Sequence, residues 1–244
     1  MNTENNTLKP ALLSVNDCTP QTITQIKAKL DDFYGTVTDY SAFETPSEQT
    51  SCWEHVADKI RILAASGNPV RVLEIGAGRS GFGQFLLAQG LRKQCIWTAQ
   101  DVTQQNAAWL KSNADNVIFG DIETASAIDA YEIVFSTFVL EHVVNPPAHL
   151  ARLASLVKAA KGTLFIFCPR YDFPGYLVPS CRHLSSAVKF QFLMTSIFSR
   201  FKTLVTDKTT YLIQTDLAAF HQPFFTDADA VHWVSQFDLH SFAR

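Results

Sequence analysis

Apolar residues recur along this chain with two different periods, and the change of period divides it. Over 22–34 (TITQIKAKLDDFY) Ile23, Ile26, Leu30 and Phe33 fall three and four positions apart, which predicts a helix. Residues 52–65 repeat the pattern through Trp53, Val56, Ile60 and Leu63, and Gly67-Asn68-Pro69 ends it by turn chemistry. Beyond Val70, short apolar runs alternate with helix-length segments. VRVLEI (70–75), QCIWTA (94–99), NVIF (116–119), YEIVFS (131–136) and TLFIFC (163–168) are predicted strands. Helices over 82–89, 104–113 and 146–160, with a short turn near 124–128, link them. Strands joined by crossovers of this length run parallel, so the pattern predicts an α/β, doubly wound, Rossmann-like sheet.

The rhythm changes after residue 168. PRYDFPGYLVPSCRH holds three prolines and a glycine and reads as irregular. Residues 184–201 then become apolar and helical, with Phe190, Met194, Ile197 and Phe201 on one face. A core helix is the plain reading of that face, and a lid or subunit contact the other. The tail segments TTYLIQTDLAAFHQPFF and DAVHWVS offer two or three strands that close the sheet antiparallel, for a mostly parallel sheet of about seven strands. Residues 1–20, rich in Asn and Thr, read as a loose arm. The organisation expected is an N-terminal arm with helices over 1–66, then a Rossmann-like domain over 67–244 with a substrate-side insertion at 169–201.

Composition narrows the partners. At 244 residues, 47% hydrophobic and 18% charged, the chain supports one substantial domain. A net charge of -3 supplies no general field for nucleic acid or anionic lipid. No apolar run reaches the roughly 20 residues of a membrane span, and the polar N-terminus does not read as a signal peptide. A cytoplasmic protein with a small-molecule partner, without nucleic acid or membrane, is expected; its oligomeric state is not legible. The five cysteines have no knuckle or redox-pair spacing and read as reduced thiols. The end at Arg244, soon after Asp238-Leu239, is compatible with a longer polypeptide.

Gly76-Ala77-Gly78-Arg79-Ser80-Gly81 satisfies G-x-G-x-x-G between a predicted strand and a predicted helix. Glycine lets the chain turn sharply and a ligand approach the backbone. Dinucleotide enzymes and methyltransferases share this loop, and a purely structural turn also fits. Three acids discriminate. Glu74, two positions before Gly76, would repel a pyrophosphate but suits the ammonium and sulfonium of S-adenosylmethionine. Asp101 follows the second strand, where ribose hydroxyls can donate to it. Asp121 follows the third, where it can accept from the adenine amino group while Ile122 packs on the ring.

With these motifs in order, residues 70–170 resemble the class I S-adenosylmethionine-dependent methyltransferases, in particular the small-molecule branch whose fourth strand runs into a Leu-Glu-His step. Here that stretch is YEIVFSTFVLEHVVNP, with Leu140-Glu141-His142 at the matching place. The resemblance implies a cofactor site of Glu74, Gly76, Ala77, Gly78, Gly81, Asp101, Val102, Asp121, Ile122, Ser136, Thr137 and Phe138, and release of S-adenosylhomocysteine. Where family members often open the fourth strand with Asp, this chain has Glu132. Asn145-Pro146-Pro147 differs from the motif of nucleobase amine methylation: it falls late, and Ala148 follows instead of an aromatic residue. It reads as a helix start.

His142, just past the fourth strand, is the candidate base for a hydroxyl acceptor. It can equally pack near the cofactor or bond a backbone carbonyl, because an activated sulfonium needs alignment more than a base. Arg170, Tyr171, Tyr176 and His183 follow the fifth strand and are candidate substrate residues, with a solvated loop as the alternative. His221, His232, Asp227 and Asp229 lack any metal-ligand spacing, and no metal is expected. The expectation is O-methylation of a small molecule. The alternatives are an NAD-dependent oxidoreductase, or an S-adenosylmethionine-binding module without catalysis.

Overall fold

A computed structural model describes residues 10–36, 47–125, 130–158, 162–172, 176–181, 183–215 and 230–244. In chain order its elements are β1 (Leu12–Ser14), α1 (Pro20–Thr36), α2 (Ser47–Ala64), β2 (Val70–Ile75), α3 (Phe82–Ala88), β3 (Cys95–Asp101), α4 (Ala107–Asn113), β4 (Asn116–Phe119), β5 (Ile133–Thr137), α5 (Pro146–Ser155), β6 (Thr163–Phe167), α6 (Ser186–Thr206), β7 (Leu212–Gln214) and α7 (Gln236–Phe242). Two compact units divide them. One comprises Tyr34–Val139 and Pro147–Cys168; the other comprises Met1–Phe33, Leu140–Pro146 and Pro169–Arg244.

The first unit is the sheet unit. Its five strands lie in the order β4-β3-β2-β5-β6, all parallel. The order reverses between β2 and β5, so the carboxyl ends of β2, β3 and β5 surround a topological switch point. The apolar runs read as strands because both faces of the sheet are covered. On one face Val70 and Val72 pack with Trp53, Val56, Ala57 and Ile60 of α2 and with Phe82, Phe85 and Leu86 of α3. On the other, Leu73 and Ile75 join Ile122, Val134 and Leu153. Alternate residues of one strand thus feed two cores, as period-2 geometry requires.

The second unit differs from expectation in how it uses the tail. Among the described residues β7 does not extend the parallel sheet; it pairs antiparallel with β1, Leu12 opposite Gln214. Part of the expected loose arm is therefore a strand, tied further by the Ala11 amide to Thr215 Oγ1 at 2.9 Å. Of the last predicted strand, His232 forms a single bridge to Ile213. Ser235 then accepts from the Phe237 amide and starts α7, a helix the strand-like pattern did not suggest. α6 begins where Ser185 accepts from the Val188 amide and ends on Asp207 in the left-handed region at φ 56°.

Candidate functional site

The chain leaves β2 through Gly76 at φ +63° and Gly78 at φ +55°, a backbone course that only glycine adopts cheaply. A Cβ on Gly76 would lie 2.5 Å from Val139 Cγ2, whereas a Cβ on Gly78 would meet nothing within 4 Å. Gly76 is thus fixed by packing, and Gly78 borders open space. All three loop amides are engaged by the end of β3. Gly76 N–H donates to Gln100 Oε1 at 3.1 Å, Ala77 N–H to Gln100 O at 2.8 Å, and Gly78 N–H to Asp101 Oδ2 at 2.7 Å. Gln100 also donates through Nε2 to Gly120 O at 2.6 Å, so one side chain ties the first loop to the third.

Glu74 is buried beneath this loop. Its carboxylate accepts from Ser80 Oγ at 2.9 Å and from the Trp97 indole N–H at 3.1 Å. Ser80 Oγ in turn accepts from the Phe82 amide at the start of α3. Burial pushes the Glu74 carboxyl up to about 8, against the lowering effect of these two hydrogen bonds, and Asp101 raises it further. Asp101, also buried, accepts from Thr103 N–H at 2.8 Å and from Thr103 Oγ1 at 3.1 Å. Desolvation raises its pKa as well, opposed by its hydrogen bonds to Thr103 and Gly78. The third glycine of the motif, Gly81, immediately precedes α3, and two residues on a Cβ on Gly83 would lie 2.8 Å from Trp97 Cζ3, so Gly83 lets α3 approach the sheet.

The remaining sequence-predicted cofactor residues share this unit. Val102 is 49% exposed beside Asp101, an apolar surface a planar ring can use. Asp121 Oδ1 accepts from the Glu123 amide at 2.9 Å, and Ile122 is buried, its carbonyl accepting from Arg152 Nε at 3.1 Å. Ser136 and Thr137 are buried at the end of β5, opposite Ile75 in register for Ser136. Thr137 Oγ1 is buried without a hydrogen-bond partner among the described residues. Phe138 follows at φ 56°, a strained conformation for a non-glycine residue, with its amide donating to Phe167 O at 2.8 Å.

The sequence-predicted substrate residues all fall in the second unit. His142 closes the short turn Leu140–His142, its Nε2 3.8 Å from Glu141 Oε1. Glu141 is fully buried, and the amides of Val231 and His232 both donate to its carbonyl at 2.9 Å. Tyr171 is a core residue, 2% exposed, stacked on Tyr176 at 5.8 Å. Arg170 Nη1 donates to Gln236 Oε1 at 2.7 Å. His183 is exposed. Of the four metal-reading residues, His221, Asp227 and Asp229 lie outside the described residues, while His232 holds its Nδ1 3.0 Å from Leu140 O.

Sequence reasoning missed Gln100 and Gly83, and named Glu141 only as part of the Leu-Glu-His step without a role. A polar residue ending an otherwise apolar strand signalled Gln100; nothing local signalled Gly83. Arg79 over the Trp109 ring at 4.7 Å, and the Trp109 indole N–H donating to Ser80 O at 3.2 Å, also brace the loop.

A family model described as a methyltransferase domain matches residues 54–238. No curated protein matches the sequence. Among solved structures the chain is similar to the plantazolicin methyltransferase BpumL, solved with a pentazolic desmethyl analogue and S-adenosylhomocysteine: 17% identity, 77% of this chain and 78% of that chain, TM-score 0.48. It is similar to the N-methyltransferase NodS of Bradyrhizobium japonicum, at 17% identity over 59% of this chain and 71% of that chain, TM-score 0.37. A third is coclaurine N-methyltransferase, at 18% identity over 64% and 56% of the two chains, TM-score 0.37.

Proposed function

We propose that this chain, which belongs to the methyltransferase-domain family and is an S-adenosylmethionine-dependent methyltransferase, binds that cofactor at the carboxyl ends of β2 to β5 and methylates an oxygen of a small molecule. One observation carries the cofactor assignment: the Gly76, Ala77 and Gly78 amides already donate to Gln100 and Asp101. A dinucleotide needs free loop amides for its pyrophosphate. Here the first three of those donors are spent, and the buried Glu74 and Asp101 carboxyls stand beside them. The groups acting on Glu74 besides Asp101 are neutral donors, so a cationic ligand favours the ionised form of this carboxyl and a phosphate opposes it.

Roles within the sheet unit follow from what each group offers. Asp101 retains acceptor capacity for ribose hydroxyls beyond its bonds to Gly78 and Thr103. Asp121 takes the adenine amino group, with Val102 and Ile122 giving apolar contact. Gly76, Ala77, Gly78 and Gly81 border the methionine part, and Ser136, Thr137 and Phe138 line the sulfonium side, Thr137 Oγ1 being a buried polar atom without a partner among the described residues. Glu74 lies beneath as a buried carboxyl that a cationic ligand drives to ionise. When bound, the cofactor would supply a methyl group on a sulfonium whose sulfur leaves as a neutral thioether.

The acceptor side rests on sequence position. His142 takes the proton of the acceptor hydroxyl, and the buried Glu141 carboxylate 3.8 Å away favours the imidazolium that forms. Arg170, Tyr176 and His183 contact the acceptor, while Tyr171 acts by holding Tyr176 through their stack.

Calorimetric titration with S-adenosylhomocysteine and with NAD tests the cofactor reading. Binding of the first and none of the second is expected, with Asp101→Ala weakening it roughly 10- to 100-fold. NAD binding alone would overturn it. His142→Ala should lower turnover on the order of 100-fold or more with cofactor affinity unchanged; equal losses in both would make His142 structural.

A further inference from the structure

The turn that follows β4 is held from both of its ends. On the β3 side, the Gly120 amide donates to Asp101 O at 3.0 Å and the Gly120 carbonyl accepts from Gln100 Nε2 at 2.6 Å. Beyond Asp121 the chain makes one helical turn. The Thr124 and Ala125 amides both donate to Asp121 O, at 3.1 and 3.0 Å, and the Glu123 amide donates to Asp121 Oδ1 at 2.9 Å. A single turn is too short to be stable on its own. Two of its carbonyls find their donors on α5: Arg152 Nε donates to Ile122 O at 3.1 Å, and Arg152 Nη2 to Ala125 O at 2.8 Å. These two nitrogens share one edge of a planar guanidinium, so the fork fixes the spacing of the carbonyls. Three residues earlier on the same face of α5, buried His149 places Nδ1 3.4 Å from Glu123 Oε1. α5 is itself anchored, because Leu150 and Leu153 are fully buried and Leu153 shares a core cluster with Ile122.

We infer that Arg152 is a positioning residue for adenine recognition: it grips the turn from α5 while Gln100 grips it from β3, and together they aim the Asp121 carboxylate. The inference rests on the cofactor reading above, which gives Asp121 the adenine amino group. Asp121 lies between the two anchors, one residue from Gly120 and one from Ile122. Among the described residues the Arg152 guanidinium meets these two carbonyls and no carboxylate, so its charge-assisted donors serve the turn instead of an ion pair. Releasing the α5 anchor frees Asp121 to swing, while Asp101 and Gly120 stay tied to β3 and the glycine loop. The loss therefore falls on the base and spares the ribose and methionine parts. Specificity for adenine thus depends on a side chain that acts through the backbone of others.

Calorimetric titration of the full chain with S-adenosylhomocysteine and with S-inosylhomocysteine, whose base carries a carbonyl in place of the amino group, tests it. Wild type should prefer the first, because Asp121 accepts from the amino group and repels the carbonyl. R152Q should weaken S-adenosylhomocysteine binding on the order of tenfold and leave S-inosylhomocysteine binding nearly unchanged. R152K keeps the charge but offers one nitrogen to two carbonyls, and should lose the preference as R152Q does. D121A should abolish the preference, with R152Q adding nothing in that background. In the ligand-free protein, the Thr124 and Ala125 amides should exchange hydrogen roughly tenfold faster in R152Q than in wild type. Equal losses for both ligands in R152Q, a preference undiminished in R152Q or R152K, no preference in wild type, or unchanged exchange overturns the inference and leaves the cofactor itself in place. Wild type that binds neither ligand overturns the cofactor reading and this inference with it.

Discussion

Both units bury carboxylates, and they compensate them differently. In the second unit Asp238, 1% exposed, meets the Arg200 guanidinium at 3.1 Å and also accepts from the Thr210 amide at 2.8 Å and the Tyr211 amide at 3.2 Å. Arg200 is itself buried and has a second carboxylate, Asp172, 3.2 Å from its Nε. In the sheet unit Glu74 and Asp101 are equally withdrawn from water, yet the groups acting on them are hydroxyls, amides, an indole and, for Glu74, another acid. A buried acid matched by a buried cation holds a fold together. A pair of buried acids served by neutral donors is poised for a charge from outside.

The contrast breaks most visibly at Asp238. Replacing it by Ala leaves Asp172 as the remaining carboxylate beside buried Arg200 and strips the Thr210 and Tyr211 amides of their acceptor, which should cost about 3–5 kcal/mol of stability in urea unfolding. A loss below about 1 kcal/mol would remove the distinction between the units. Gly76→Ala comes next. Its positive φ and the 2.5 Å approach to Val139 Cγ2 should together cost on the order of 2–3 kcal/mol, with V139A in the same chain recovering part of the steric share. No recovery in the double variant would mean that backbone strain alone fixes this glycine.

A change of pH sharpens the comparison in a different way. Unfolded, Glu74 ionises near its ordinary value of 4.5; folded, it ionises at about 8. Between those values the folded chain keeps a proton that the unfolded chain has lost, so this group's contribution falls as pH rises from about 4.5 to about 8 and then stays level. Glu74→Gln should therefore leave stability nearly unchanged below about pH 4.5 and give a flatter stability curve up to about 8. Parallel curves for the two proteins would show that the carboxyl is ionised throughout and that its burial is compensated.

Much of the sheet unit was legible because its strands are buried on both faces and its crossovers are helices. The runs at β2 and β4 coincide residue for residue with the observed strands, and most boundaries elsewhere differ by only a few positions. The second unit resisted reading for physical reasons. β7 finds its partner at β1, nearly 200 positions away, and local pattern carries no information about such pairing. α6 misled more directly: the stripe through Phe190, Met194, Ile197 and Phe201 reads as core, but the buried side is fixed by Arg200 and its two acids, so charge pairing outweighs the apolar periodicity. In the site, the acids and glycines were visible as residue types. What Glu74 touches was not, since Ser80 and Trp97 reach it only once the loop and β3 are in place.

The bond from the Trp97 indole to Glu74 gives the protein an optical reporter of its own. An indole sealed from water emits according to the local electric field, and here that field changes with a single proton on the carboxyl that accepts its N–H. Any ligand that drives Glu74 to ionise would shift the colour of a chromophore it never touches, so charge in the cofactor pocket can be followed by fluorescence without a label.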